Sequence, residues 1–151
     1  MLFRSQGTVS LRPGPAIGDD ARLSVIDGDE VTAVFQDLSP AGERSATAQI
    51  DAQPPVVSDV LTTSEFGRTT VRWLTSEPAW SVVRFGMTNK VNQTLTNLGL
   101  RSQHVVAFPP LVAGETYFFE IVATDAAGNV STNSNSGRYF RFVAPRPANA
   151  L

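Results

Sequence analysis

The stretch Thr116-Tyr117-Phe118-Phe119-Glu120-Ile121-Val122-Ala123-Thr124 decides how this chain folds. Successive side chains of a strand point to opposite faces. Tyr117, Phe119, Ile121 and Ala123 therefore share one apolar face, and Phe118, Glu120 and Val122 share the other. The same period of two recurs on either side. Val56 to Thr62 opens the series. Thr69 to Thr75 follows, with Val71, Trp73 and Thr75 on one face, then Ala79 to Phe85 with Ser81, Val83 and Phe85 inward and Gly86 as the stop. Gln93 to Asn97 reads as a weaker edge strand. Gln103 to Phe108 places His104, Val106 and Phe108 together, and Gly137 to Val143 closes the set. Seven short alternating runs separated by turn formers, with no helical periodicity, predict an all-β sandwich.

Composition narrows the function classes. The 151 residues suit one ordinary domain or two small ones, and a 42% hydrophobic share is enough to build a core. Twelve basic and fourteen acidic residues leave a net charge of −2, too weak a field to gather nucleic acid. With no cysteine, disulfides, thiolate zinc sites and cysteine nucleophiles are all absent. The single histidine, His104, excludes any site that needs two. No apolar run approaches the roughly 18 residues of a membrane span, so no membrane insertion is expected.

Particular residues carry a family resemblance. Trp73, the run Ser81-Val82-Val83-Arg84-Phe85-Gly86, and Leu111-Val112-Ala113-Gly114-Glu115-Thr116-Tyr117 together resemble a fibronectin type III domain over residues 54 to 144. The last run is similar to that family's L-x-P-G-x-x-Y signature, with Ala113 where proline is usual. The resemblance implies that Trp73, Leu111, Gly114 and Tyr117 are structural, the tyrosine hydroxyl bonding backward to pin a corner of the sandwich. His104-Val105-Val106-Ala107-Phe108 and Asp125-Ala126-Ala127-Gly128-Asn129 resemble further stretches of bacterial members.

The first fifty residues differ. Leu23-Ser24-Val25-Ile26, the turn Asp27-Gly28 and the run from Val31 to Asp37 read as strand, tight turn and strand, a hairpin with Val31, Ala33 and Phe35 inward. They resemble the closing strands of immunoglobulin-like modules in large exported bacterial proteins. The expected organisation is a partial immunoglobulin-like module over 1–52, a Pro-rich linker over 53–55 and a fibronectin type III-like domain over 56–144. A C-terminal linker follows over 145–151. The first part is expected to open a fragment of a longer parent, and to dock on the second module or be loosely held.

Candidate chemistry is sparse. Asp19, Asp20, Asp27 and Asp29 are oxygen donors of the kind a structural Ca²⁺ takes, but the EF-hand spacing is missing and turn chemistry explains them better. Asp125 and Asn129 likewise read as a tight turn. His104 has no triad partners, and Glu120 points outward, so it forms no glycosidase pair with Glu115. No phosphate loop or nucleophile elbow occurs. The expectation is no enzyme, no catalytic residue and no cofactor, calcium apart.

The resemblance also makes the strands over 79–85 and 116–124 neighbours. Trp80, Val82, Phe118 and Val122 should then gather on one outer face, joined by Tyr139 or Phe140 according to register. This contact surface would cover the N-terminal strands, meet a neighbouring module or protein, or stack on a glycan. The expected role is an extracellular or cell-surface spacer and interaction module. The alternatives are a carbohydrate-binding accessory module, or a filament subunit completed by another chain's strand.

Overall fold

Residues 68–86 turn the period of two directly into structure. In the computed structural model, which describes residues 11–13, 23–38, 41–88 and 90–147, they form one long strand, β6 (Arg68–Gly86). Val71, Trp73 and Thr75 are buried in its first half, and Ser81, Val83 and Phe85 in its second. Between the halves lie Ser76-Glu77-Pro78, and the pairing register shifts between Leu74 and Ala79. Proline has no amide to give to a ladder, which suits it to this change of direction. Gly86 ends the strand with its Cα turned onto the Lys90 carbonyl, where a side chain has no room.

The bend sends β6 from one layer to another. Its first half lies between β5 (Val57–Glu65) and the second half of β7 (Gln93–Ala107). Its second half lies between the first half of β7 and β8 (Thr116–Asp125). On its far side β8 pairs with β9 (Val130–Asn133) and β10 (Phe140–Val143). The result is three strands facing four, all antiparallel, the fibronectin type III and immunoglobulin-like sandwich that the sequence predicts.

Both layers feed one core. Val57, Val71 and Trp73 come from the first layer, and Val83, Phe85, Phe119, Ile121 and Phe142 from the second. Phe108, just past β7, is the keystone ring: it lies 4.7 Å from Phe142, 5.1 Å edge-on from Phe85 and 5.9 Å from Phe119. Offset and edge-on contacts of this kind add to what their buried area alone supplies.

The closing strand is where the expectation needs correction. Gly137 does not begin a strand; it lies in a turn where Asn135, Ser136, Gly137 and Tyr139 all have positive φ. That left-handed run splits the closing strand in two, and β9 had no apolar alternation to mark it. The first strand also runs on to Glu65, beyond Thr62. A two-residue turn at Phe66-Gly67, with φ of 48° and 78°, then reverses the chain.

By its contacts the chain divides into two units, Met1–Gln53 and Pro54–Leu151. In the first, β1 (Leu11–Pro13) pairs in parallel with β2 (Leu23–Val25). A ribbon of β3 (Glu30–Leu38) and β4 (Ala41–Gln49) runs antiparallel from Glu30↔Gln49 to Leu38↔Ala41. The expected turn forms: Gly28 has φ 82°, and the Asp29 amide donates to the Ile26 carbonyl at 3.2 Å. The expected hairpin does not, because β3 takes β4 as its partner and β2 takes β1. Gly28 donates to the Ile50 carbonyl and Ile50 to the Asp29 carbonyl, so the turn extends the ribbon. Nor does the inward face hold, since Ala33 is exposed and Val31 only half-buried. The Phe35 side chain lies outside the described residues.

Candidate functional site: the outer sheet faces and the two ends of the sandwich

Register decides what the outer face of the four-stranded layer presents. Val82 and Val122 lie directly opposite each other, and Trp80 sits one outward position along, opposite Thr124. Trp80 is 42% exposed. Phe118 is opposite Gly86, and between it and the valine pair come Arg84 and Glu120. Their side chains approach to 3.5 Å, an exposed ion pair worth less than about 1 kcal/mol. Trp80, Val82, Phe118 and Val122 thus share the predicted face, but a charged row divides them. Phe140 turns inward and stacks on Phe119 at 5.1 Å. Tyr139 does not join the row, because it belongs to the left-handed turn, its amide donating to the Ser134 carbonyl at 2.8 Å.

The hydroxyl of buried Tyr117 accepts a hydrogen bond from the Val112 amide at 3.1 Å and pins the turn before β8. Gly114 holds φ 85° in that turn, a value a side chain would strain. Leu111 packs against the core. Trp73 is buried and stacks on His104, the rings 5.0 Å apart and 4° from parallel.

Among the described residues, His104, Asp125, Asp27 and Asp29 are hydrogen-bonded within the fold. His104 is buried, shares a hydrogen bond with the Thr75 hydroxyl at 3.2 Å, and has its pKa lowered by the cost of burying its charge. Asp125 accepts from the Asn129 amide at 2.8 Å and from its side chain at 2.9 Å. Burial alone would raise its pKa; the bonds from Asn129, with Gly128 and Ala127 adding to them, outweigh that and lower it. Asp29 accepts from the Ile26 amide at 2.8 Å and Asp27 from the Ala52 amide at 2.9 Å, which is turn chemistry. Asp19 and Asp20 lie outside the described residues. Glu115 stands in the turn before β8 while Glu120 projects from the sheet and pairs with Arg84, so the two carboxylates occupy different settings.

Sequence reading passed over the other sheet face. Alternation that buries Val71, Trp73 and His104 turns Arg72, Leu74 and Val105 outward. Pairing sets Leu61, Arg72 and Val105 in one row and Leu74 beside Gln103 in the next. Asp59 and Val60 of β5 together stand opposite the single residue Trp73, a bulge of one extra residue in which Asp59 holds φ 50°. These residues line a groove of about 810 Å³. The signal was the alternation already applied to Trp80.

The two chain ends of the sandwich are tied at opposite poles. At the entry pole Val56 exchanges bonds with Ser76, the Ser131 hydroxyl donates to the Pro55 carbonyl, and Asn133 donates to the Val57 carbonyl at 2.9 Å. At the exit pole Gly114 donates to the Ala144 carbonyl and Ala144 to the Glu115 carbonyl, both at 2.9 Å. The first pole carries the Asp125–Asn129 turn and the second the Phe66-Gly67 turn. Among the described residues, no helix is long and apolar enough to cross a membrane.

No protein-family model matches the chain. No curated protein matches it. Among solved structures it is similar to the rat CD45 extracellular region, domains d3-d4, at 14% identity and a TM-score of 0.42 over 88% of this chain and 79% of that one.

Proposed function

We propose that the chain is a non-catalytic β-sandwich spacer and interaction module of a larger exported or cell-surface bacterial protein. The observation that supports this most is the placement of the chain ends. Entry at Pro55–Val57 and exit at Ala144 are bonded at opposite poles, so the sandwich sets a fixed separation between whatever precedes and follows it. A passive role also suits the polar inventory. His104 and Asp125 are buried and hydrogen-bonded within the fold, and among the described residues no convergent set of acid, base and nucleophile lies in a pocket.

Paired cysteines at Ala126 and Arg146, in a chain with no native cysteine, allow a spin-label distance measurement across the sandwich. Nine steps along β8 at about 3.4 Å predict one narrow distance near 30 Å. A broad distribution, or one below roughly 20 Å, defeats the spacer reading.

A second reading has one observation in its favour. Trp80 is 42% exposed on a flat sheet face, the presentation with which indoles stack on sugar rings. Under this reading the module anchors a polysaccharide-degrading parent. Pulldown on insoluble polysaccharides that is lost with Trp80→Ala supports it, and no retention on any polysaccharide rejects it.

A further inference from the structure

We infer that residues 145–147 form an exit strap: the chain leaving the sandwich is held a second time, against the Phe66-Gly67 turn, which fixes its direction of departure. The inference deepens the spacer reading and rests on it for its purpose. The first hold is Ala144, which is buried and bonded through both its amide and its carbonyl, to Glu115 and Gly114. The second is Pro147. A Cβ on Gly67 would lie 3.3 Å from the Pro147 Cα, 3.7 Å from its nitrogen and 3.8 Å from its Cβ, so the outgoing main chain lies directly against the turn. The contact is no by-product of a left-handed glycine. Gly28, Gly114, Gly128 and Gly137 hold φ between 81° and 95° with open space at the same position.

Between the two holds the sequence supplies stiffness. In Ala144-Pro145-Arg146-Pro147 a proline follows both Ala144 and Arg146. Proline fixes its own φ and turns the residue before it away from the helical region, so the whole segment favours an extended path. Three extended steps of about 3.1 Å carry the chain roughly 9 Å from Ala144 to Pro147. A stiff segment anchored at both ends contains no free hinge, so the joint to whatever follows begins beyond Pro147. The entry end is built on the same plan, with Pro55 buried and its carbonyl accepting from the Ser131 hydroxyl. Gly67 meets two demands at once: φ of 78° for the turn, and no side chain beneath the strap. Asparagine meets only the first, because it tolerates positive φ but carries a Cβ.

Amide ¹⁵N relaxation on the full chain tests the strap. The Arg146 amide should give an order parameter near 0.85, roughly that of rigid backbone and of Val143 in β10. Pro147→Gly should lower it below about 0.6 and shift the Gly67 amide across the contact. Gly67→Asn should lower it as well while the Glu65 and Arg68 amides stay rigid. Gly137→Asn, at a left-handed glycine with open space, should leave it unchanged. An Arg146 order parameter below about 0.6 in the unsubstituted chain, one that neither Pro147→Gly nor Gly67→Asn lowers, or a Gly67 amide unmoved by Pro147→Gly would each overturn the strap. Moving the outer spin label from Arg146 to Val143 makes the inter-pole distance independent of residues 145–147. A failed strap then leaves that distance narrow, whereas a failed spacer broadens it.

Discussion

Strands β3 and β8 both show apolar alternation and end in different states. In β8 every second residue is buried because a second layer, brought round by the bend of β6, lies over that face. In β3 the face read as inward stays uncovered at Ala33, which is exposed, and Thr32 on the other face bonds across to Thr47 at 3.0 Å. Pairing alone satisfies a backbone; it takes a second layer to make an apolar face stabilising, which is why isolated two-stranded ribbons are marginal in water.

The largest expected effect lies in the sandwich. Phe119→Ala, which removes a ring packed on Phe108, Phe140 and Phe142, should cost about 3–5 kcal/mol in urea unfolding. Val34→Ala in the ribbon should stay within about 0.5 kcal/mol. Equal costs would erase the distinction between the two regions. Tyr117→Phe should cost about 1 kcal/mol, the worth of one hydrogen bond at the pinned corner, measured in the same way. A smaller effect of opposite sign is expected at Ser81, whose hydroxyl is buried without a partner. Ser81→Ala should be neutral or stabilising by up to about 1 kcal/mol.

Acid should act on the sandwich in two steps. His104 has a lowered folded pKa, so the unfolded chain takes up the proton first. Stability is complete above the ordinary value of 6.5 and declines as pH falls through the folded value. Asp125 is also lowered, so its contribution is present above about 3.9 and is lost as pH falls further. Thermal melts from pH 8 to 2 should show both declines. His104→Phe should remove the upper one and Asn129→Ala shrink the lower. An upper step that survives His104→Phe would assign it elsewhere.

The polar halves of the molecule explain where sequence reading failed. Alternation found Trp73, Phe85 and Phe119 because each stands in a run with apolar neighbours two positions away. It missed β4, written Ala-Gly-Glu-Arg-Ser-Ala-Thr-Ala-Gln, and β9, written Val-Ser-Thr-Asn, because neither carries enough apolar side chains to show a period. β9 is held by Ser131 and Asn133 reaching the carbonyls of Pro55 and Val57, 76 residues away, and no local window contains such a bond.

By itself the sequence determined the class of the fold and the buried face of the strands over 69–75, 79–85 and 116–124, because these follow from a local period. Only the tertiary structure decided that β3 pairs with β4, that the closing strand is split, and that an ion pair divides the Trp80 face. Each of these depends on which strand lies alongside which, and pairing across dozens of residues is settled by the packing of the whole sheet.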